Sequence, residues 1–524
     1  MGESNTRFDY LFLPIADHLS LCFSPDGQRI KVPSNEALER YGLKPITYAP
    51  KEALGLLNGT AFSASVGALA VYEASMQCLL TQATTAMAVE AMVATDASFA
   101  PFIHEECRPH PGQIESAATI LDMLQGSKLA QHMADEKLQL LSNEMEGSLR
   151  QDRYPLRTSP QWIGPQVEDI LHATNTIVQE LNSTTDNPLI DVKGDHVAHG
   201  GNFQAMAVTN AMEKIRLSIH HFGKLTFQQQ TELINPAMNR GLPANLAATD
   251  PSLNFHAKGI DIALAAVTAE LGYLANPVST HVQAAEMSNQ AVNSLALISA
   301  RYTIQAIETL SMLQAWSIYN LCQAFDLRAL QRKIASGLSA QIEKSIADFF
   351  STWINDADQK MLAARVFHSL NHRLDETSAR DLHSRLSDAY MQAGYELIQY
   401  FTKLPSGGGS DPLRTIIAWR NASADQTYAL YRRATDEFLA NPNGCHASPL
   451  LGRSKKIYEF VRRTLKVPMH GQENNTDFKE GIKQSIGGYA SVIYEALRNG
   501  DMYGVLIDMM KDVQTAPKQP VARL

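Results

Sequence analysis

Residues 151–162, QDRYPLRTSPQW, place Tyr154 between Arg153 and Arg157 in a turn-prone run closed by Ser-Pro and Trp162. A planar guanidinium pairs with a carboxylate through two parallel hydrogen bonds, so this run is a candidate grip for an anion. Gln151 opens it with a carboxamide. Other short stretches join polar side chains to unusual backbone freedom. LLNGT sets Asn58 beside a glycine, and TTDNPL sets Asn187 before a proline that fixes the exit of the chain. HGGNFQ brings bare backbone up to the aromatic Phe203, and FHAKGID carries Lys258 in a polar window before a helix.

HVQAAEMSNQAVNS is expected to seat Glu286 and Gln290 four residues apart on one helix face, with Gln283 one turn earlier. In a buried helix these groups need partners, because an unpaired buried carboxylate is costly. Each stretch also has an ordinary reading. The asparagines serve turns, HGGNFQ ends a hairpin, and Glu286 with Gln290 forms one satisfied polar layer. Taken singly, the ordinary reading is the better one.

Two further stretches look chemical and are read as structural. His104, Cys107 and His110 in HEECRPH have metal-ligand side chains, but no second Cys/His pair follows at finger spacing, and Pro109 and Pro111 break any helix that would present them together. The expectation is a polar loop before a helix and no metal. SASVGALA, Ser63–Ala70, opens an alanine-rich helical run, where small residues allow helices to pack closely.

The elements that must hold these groups are helices. No proline or glycine falls between Pro277 and Gly337, about 60 residues, which as one helix would reach up to ~90 Å. Within it Val292, Leu295, Ile298, Tyr302, Ile307, Leu310, Leu313, Trp316, Leu321 and Phe325 recur at mostly three- and four-residue steps, while Leu297, Ile304, Met312 and Ile318 fall on other faces. A helix apolar on several sides is covered by other helices, including those of neighbouring subunits. Strand signals are few: Pro188–Val192 and Val197–Phe203 around Lys193-Gly194 suggest at most one small hairpin. The expected fold is therefore all-α, with a core over 1–337 and a helical C-terminal module over 338–524 that contains the linker PSGGGSD, Pro405–Asp411.

Composition narrows the function. The 45 basic and 54 acidic residues give a net charge of −9, which argues against a nucleic-acid surface. The most apolar run, Ala68–Val93, carries Glu73, Gln77, Gln82 and Glu90 and reads as a buried helix, not a membrane span. MGESNTRFDY has no signal-sequence pattern, and Cys22, Cys78, Cys107, Cys322 and Cys445 show no paired spacing. A reduced, cytoplasmic protein is expected.

In order, LLNGTAFSAS, RPHPGQIE, RQDRYPLRTSPQWIGP, TTDNPLIDV, HGGNFQA, ELINPAMNRGLPANLAATDPSLNFHAKGIDIA and LANPVSTHVQAAEMSNQAVNSLALISAR closely resemble the phenylalanine ammonia-lyases, especially fungal forms. The resemblance covers nearly all of residues 45–330 and continues more weakly at KKIYEFVRRTL, Lys455–Leu465. It implies an all-helical homotetramer whose active sites draw on more than one chain. It also implies non-oxidative removal of ammonia from an aromatic amino acid to give an arylacrylate such as cinnamate. The family's electrophile is a methylidene-imidazolone group (MIO) made from an internal Ala-Ser-Gly. Matched by motif, Asn58 would contact that group and the amine. Gln151, Tyr154 and Arg157 would form a polar cluster in which Arg157 grips the substrate carboxylate, with Arg153 structural. Asn187 and Phe203 would lie beside the carboxylate and prosthetic group, and Lys258, Glu286 and Gln290 near the amine.

The family's Ala-Ser-Gly precedes a segment that aligns loosely with Phe8–His18, which puts the triplet at about Met1-Gly2-Glu3. The expectation is a chain without an Ala-Ser-Gly and without MIO. It would resemble the C-terminal two-thirds of the family and lack the catalytic tyrosine loop and much of the ring-selecting pocket. Three outcomes are then open. The chain is a lyase component whose missing part is supplied by another polypeptide or omitted from this sequence, an MIO-independent enzyme of secondary metabolism acting on an aromatic carboxylate, or a non-catalytic subunit of a full-length lyase.

Overall fold

A computed structural model describes residues 19–23, 29–50, 52–132, 151–403, 412–471 and 485–510. The aligned segment Phe8–His18 and the linker Pro405–Asp411 lie outside these residues. The chain opens with an antiparallel hairpin, β1 (Leu19–Phe23) and β2 (Arg29–Pro33), then α1 (Ser34–Arg40) and α2 (Glu52–Leu57). α3 (Ala61–Ala91), α4 (Pro111–Met123), the single turn α5 (Tyr154–Arg157) and α6 (Ser159–Leu181) follow. A second hairpin, β3 (Leu189–Asp191) and β4 (His196–Ala198), leads into α7 (Met206–Ile234), α8 (Lys258–Leu274) and α9 (Ala296–Phe350). α10 (Asp356–Glu376), α11 (Leu382–Phe401), α12 (Pro412–Ala440), α13 (Lys455–Glu459), α14 (Ile486–Arg498) and α15 (Asp501–Met510) complete it.

The expected all-helical fold is what forms. The hairpin foreseen near Lys193 is present, and β1–β2 adds a second that was not foreseen. α3, α7 and α9 pack side by side with α6 and α8 around them. Buried amides and hydroxyls tie their register: Gln77 Nε2 donates to Ser311 Oγ at 2.9 Å, Gln230 Nε2 to Ser317 Oγ at 2.9 Å, and Gln314 Nε2 to Thr81 Oγ1 at 3.1 Å. Such bonds cannot slide by one residue without orphaning buried polar atoms, so they fix one alignment of the three helices. At the start of α3, Gly67 lies against Ile177 and Met212, the close packing expected of SASVGALA.

The long helix differs from expectation at both ends. It begins at Ala296, not near Pro277, and runs through Gly337 to Phe350, 55 residues or about 82 Å. Residues 282–295 are held off the helix by side chains that compete for backbone: Asn293 Nδ2 donates to the carbonyls of Gln283 and Gln290. Glu286, Met287, Ser288 and Leu295 all take positive φ. Gly337 is a point of close approach, since a Cβ there would stand 3.1 Å from Leu430 Cδ1. The apolar contacts change along this unbroken helix. Residues up to Ile334 belong to the core of α3, α6, α7 and α8, and Leu338 to Phe350 belong to a second core with α10, α11 and Trp419. The later residues Ala434 to Met509 rejoin the first core. There Arg462 and Asp326 form an ion pair, Nη2 to Oδ2 2.7 Å, with both side chains about 1% exposed.

HEECRPH folds as a π-helical turn, Phe102–Cys107, before α4. His104 is buried there, donating from Nε2 to the Ser98 carbonyl at 2.9 Å and accepting at Nδ1 from Gln113 at 2.9 Å. Both ring nitrogens are thus used inside the fold.

Candidate active-site loops

Asn58 ends the turn before α3, and Gly59 takes φ +90°. A Cβ at Gly59 would stand 2.8 Å from Thr185 Oγ1, so only glycine allows this approach. Thr60 N donates to the same Thr185 Oγ1 at 3.1 Å, which docks the Asn58 turn on the TTDNPL loop. That loop is docked on the next: Asn187 Oδ1 accepts from Gly200 N at 2.8 Å, and Asn202 Nδ2 donates to the Thr184 carbonyl at 3.3 Å. Gln204 then donates from Nε2 to the Val292 carbonyl at 2.8 Å, and Thr209 Oγ1 donates to the Ser294 carbonyl at 2.6 Å. A continuous chain of hydrogen bonds therefore gathers Asn58, Asn187, Phe203 and the loop of Glu286 and Gln290.

The geometry of that last loop corrects the sequence reading. Glu286 and Gln290 share no helix face; they sit in a turn closed by the Ala285–Gln290 bridge. Both are exposed, so neither forms a buried polar layer. Asn289 Nδ2 donates to Glu286 Oε2 at 2.8 Å. Met287 beside them is fully exposed at 101% and Val292 is 74% exposed, an apolar surface that the protomer leaves open.

Tyr154 and Arg157 lie elsewhere. α5 packs on α7, where Gln229 Nε2 donates to the Pro155 carbonyl at 3.0 Å. Arg157 is half-buried; its Nε donates to the Asp152 carbonyl at 3.1 Å and its guanidinium lies 5.1 Å from the Tyr154 ring centre, a cation–π contact. Its two Nη groups have no partner among the described residues. Asp152, which the sequence reading passed over, anchors the run. Its carboxylate accepts from Thr95 N at 2.8 Å and pairs with Arg240 Nη2 at 2.7 Å. Arg153 donates to the Met238 carbonyl at 3.2 Å and braces the same end. Gln151 and Tyr154 are exposed.

Lys258 is the first residue of α8 and exposed, with Nζ 5.1 Å from the Phe255 ring centre. A cation at a helix N-terminus opposes the helix dipole, so local stability does not account for it. Its approach is set by His256, which is buried; His256 Nε2 contacts Tyr319 Oη at 3.1 Å, and its ring stacks on His470 at 4.6 Å. Burial holds His256 far below the usual imidazole range, and the neighbouring His470 pushes the same way. Burial likewise lowers His470, to about 4.

The protomer thus presents two separate groups. α6 has 23 residues, about 34 Å, with Tyr154 and Arg157 just before it and Asn187 just after it. α3 repeats the relation: Asn58 precedes its 31 residues, and Asp152 is held by Thr95 just beyond its far end. Asn58, Asn187, Phe203, Glu286 and Gln290 occupy one end of the bundle. Tyr154, Arg157 and Gln151 occupy the other, as does Lys258, because its neighbour His256 meets Tyr319 close to the Ser317–Gln230 contact beside Pro155. Thr185, Gln204 and Asp152 were missed because their partners are distant in sequence; only their neighbours in TTDNPL, HGGNFQ and QDRYP marked them.

One expectation fails on the sequence itself. An Ala-Ser-Gly does occur, at Ala335-Ser336-Gly337. It lies inside α9, fifteen residues or fewer from the C-terminal end of a continuous helix, with Gly337 against Leu430. Ring closure requires the glycine nitrogen to reach the alanine carbonyl carbon, which helical geometry and its i to i−4 bonding prevent. These residues do not fit the prosthetic group.

The helical fold matches that of solved phenylalanine ammonia-lyases. The crystal structure of phenylalanine ammonia-lyase from Rhodosporidium toruloides superposes with a TM-score of 0.83 at 43% identity, covering 94% of this chain and 73% of that one. A family model described as aromatic amino acid lyase matches residues 13–348, and the chain belongs to that family. It is 59% identical over 499 residues to the phenylalanine ammonia-lyase of Mycosarcoma maydis, covering 94% of this chain and 69% of the relative. It is 50% identical over 490 residues to phenylalanine ammonia-lyase 2 of Pleurotus ostreatus, covering 92% and 65%. The chain therefore spans about two thirds of the length of these relatives. Among the described residues, no helix is long and apolar enough to cross a membrane.

Proposed function

We propose that this chain supplies the substrate-holding side of a phenylalanine ammonia-lyase-type reaction, the non-oxidative elimination of ammonia from an aromatic L-amino acid to give an arylacrylate. The observation that carries the reading is the distribution of the family-matched residues over two ends of a bundle, all of them exposed or half-buried. A small substrate cannot touch Arg157 and Asn58 of one protomer. In an oligomer, a homotetramer or a hetero-oligomer with a full-length lyase, the Arg157 end of one chain meets the Asn58 end of another.

In that setting the two Nη groups of Arg157, which have no partner among the described residues, take the substrate carboxylate, and the Tyr154 ring steadies the guanidinium. Asn58, Lys258, Glu286 and Gln290 are placed toward the amine, with Asn187 and Phe203 beside the carboxylate. The benzylic β-proton is weakly acidic and an amine is a poor leaving group. Positioned acids and bases typically contribute only about 10²–10⁴-fold, so these residues alone are insufficient. The electrophile that activates the amine in this family is taken to come from polypeptide outside these 524 residues, since Ala335–Gly337 is helical. A cytoplasmic location belongs to the same reading and rests on five free cysteines.

Arylacrylate absorbance, followed with phenylalanine, tests this. The 524-residue chain alone should give no cinnamate. Mixed with an Ala-Ser-Gly-bearing lyase whose own carboxylate-binding arginine has been replaced, it should restore turnover. Turnover by the chain alone would refute the reading and favour an MIO-independent enzyme. Mixed oligomers that form without turnover would make the chain a non-catalytic subunit.

A further inference from the structure

A cavity of about 360 Å³ lies where the two hydrophobic cores meet, and none of the family-matched residues lines it. α9 forms one wall from Leu327 to Ala335, and the end of α10, the start of α11, α12 and the loop 240–251 form the others. Its volume falls in the range of small-molecule sites. Leu330, Ile334, Leu374, Tyr428 and Tyr431 give it an apolar body.

The remaining lining is dominated by arginines, and most are already engaged. Arg240 pairs with Asp152, Arg380 with Asp388 and Arg432 with Asp436. Arg328 directs Nε, Nη1 and Nη2 to the carbonyls of Ala91, Arg240 and Asn239. Arg332 and Arg385 differ. Among the described residues neither has a carboxylate at ion-pair distance. Arg332 uses one donor on the Lys128 carbonyl and Arg385 one on the Leu374 carbonyl, and Arg385 Nε has no partner among the described residues. Against Arg328, Arg332 and Arg385 the cavity sets Asp250 and Asp375, and Asp250 already accepts from Leu382 N. One positive charge is left over in a mostly apolar space.

We propose that this cavity binds a small organic monoanion, a carboxylate on an apolar body, with Arg385 holding the carboxylate inside and Arg332 drawing it in at the exposed mouth. A single surplus charge suits a carboxylate better than a phosphate dianion, and the tyrosine and leucine walls exclude water from the ligand's tail. The site is independent of the lyase reading, because none of the family-matched residues lines it.

Calorimetric titration of the full chain with hexanoate, and with hexylamine and inorganic phosphate as controls, tests the site. Hexanoate should bind saturably at one site per chain and both controls weakly or not at all. Arg332→Glu, a change at an exposed residue, should weaken hexanoate about tenfold or more, as should Arg385→Met if it folds, whereas Arg157→Leu should leave it unchanged. Absence of saturable binding at millimolar hexanoate would overturn the proposal. So would equal binding of hexylamine, or hexanoate binding that survives Arg332→Glu but is lost in Arg157→Leu.

Discussion

Arg157 and Asn187 stand at opposite ends of α6, separated by a helix of 23 residues, about 34 Å and several times the length of an amino acid. The same bundle that buries Ile163, Ile170 and Ile177 therefore keeps these two polar residues apart. Packing of the core sets this separation, and no movement of loops can close it.

Arg157 is expected to anchor a carboxylate. Arg157→Leu should weaken cinnamate or phenylalanine in the assembled oligomer about ten- to hundredfold, since a hydrogen bond to a charged group is worth roughly 1.5–3 kcal/mol. Arg157→Lys should recover little, because an ammonium lacks the two-pronged geometry. Titration beside a thermal melt decides between anchor and brace. A lowered melting temperature with unchanged affinity would mean that Arg157 only supports the Asp152 carbonyl.

Asp152 is expected to be structural and indispensable to that anchor. It is 6% exposed, and its carboxylate holds both Arg240 and Thr95 N. Asp152→Ala leaves Arg240 and a backbone N–H without their acceptor and should cost on the order of 2–4 kcal/mol. Denaturant unfolding measures it. A loss below about 0.5 kcal/mol, the level of an ordinary surface change, would show that water replaces the carboxylate.

Gly59→Ala should lower stability by roughly 1–3 kcal/mol, because the positive φ and the approach to Thr185 both exclude a side chain. Thr185→Ala should not rescue it, since the Thr185 carbonyl oxygen would still stand 3.0 Å from the new Cβ. Melting curves of the single and double variants test this, and full rescue would show that the hydroxyl alone forbids the methyl.

The stacked imidazoles predict an acid limb. His470 is lowered to about 4 by burial, below its unfolded value near 6.5, so the unfolded chain binds the extra proton first. Stability from this group is complete above about pH 6.5 and is lost as pH falls through 4, by roughly 3 kcal/mol in total. His470→Phe keeps a ring on His256 and removes the titration. Its melting temperature should change less than wild type's between pH 6.5 and 4.5, and an identical slope would assign the limb to other groups.

Sequence made the helices legible because Ile307, Leu310 and Leu313 repeat at helical steps, and burial then follows from geometry. It misplaced Glu286 and Gln290 for a physical reason. The stretch lacks proline and glycine, but the Asn293 amide and the distant Thr209 hydroxyl offer its backbone other partners, and nothing local reveals that they win. The Ala335–Gly337 triplet shows the converse. Its letters match a motif, but its place inside α9 removes the backbone freedom that the chemistry needs. Arg157 stood out in the sequence as a candidate anion grip, whereas the bracing of its loop by Asp152, Arg240 and Thr95 depends on contacts across as many as 88 positions.

The span of α6 also bears on inheritance. If each proposed site takes Arg157 from one chain and Asn58 from another, two defective alleles need not give a defective cell. A strain carrying Arg157→Leu on one copy and Asn58→Ala on the other would assemble mixed oligomers in which some sites combine an intact Arg157 with an intact Asn58. Such a strain should regain part of the activity that each allele lacks when alone, and a single defective allele should poison sites built largely from normal subunits.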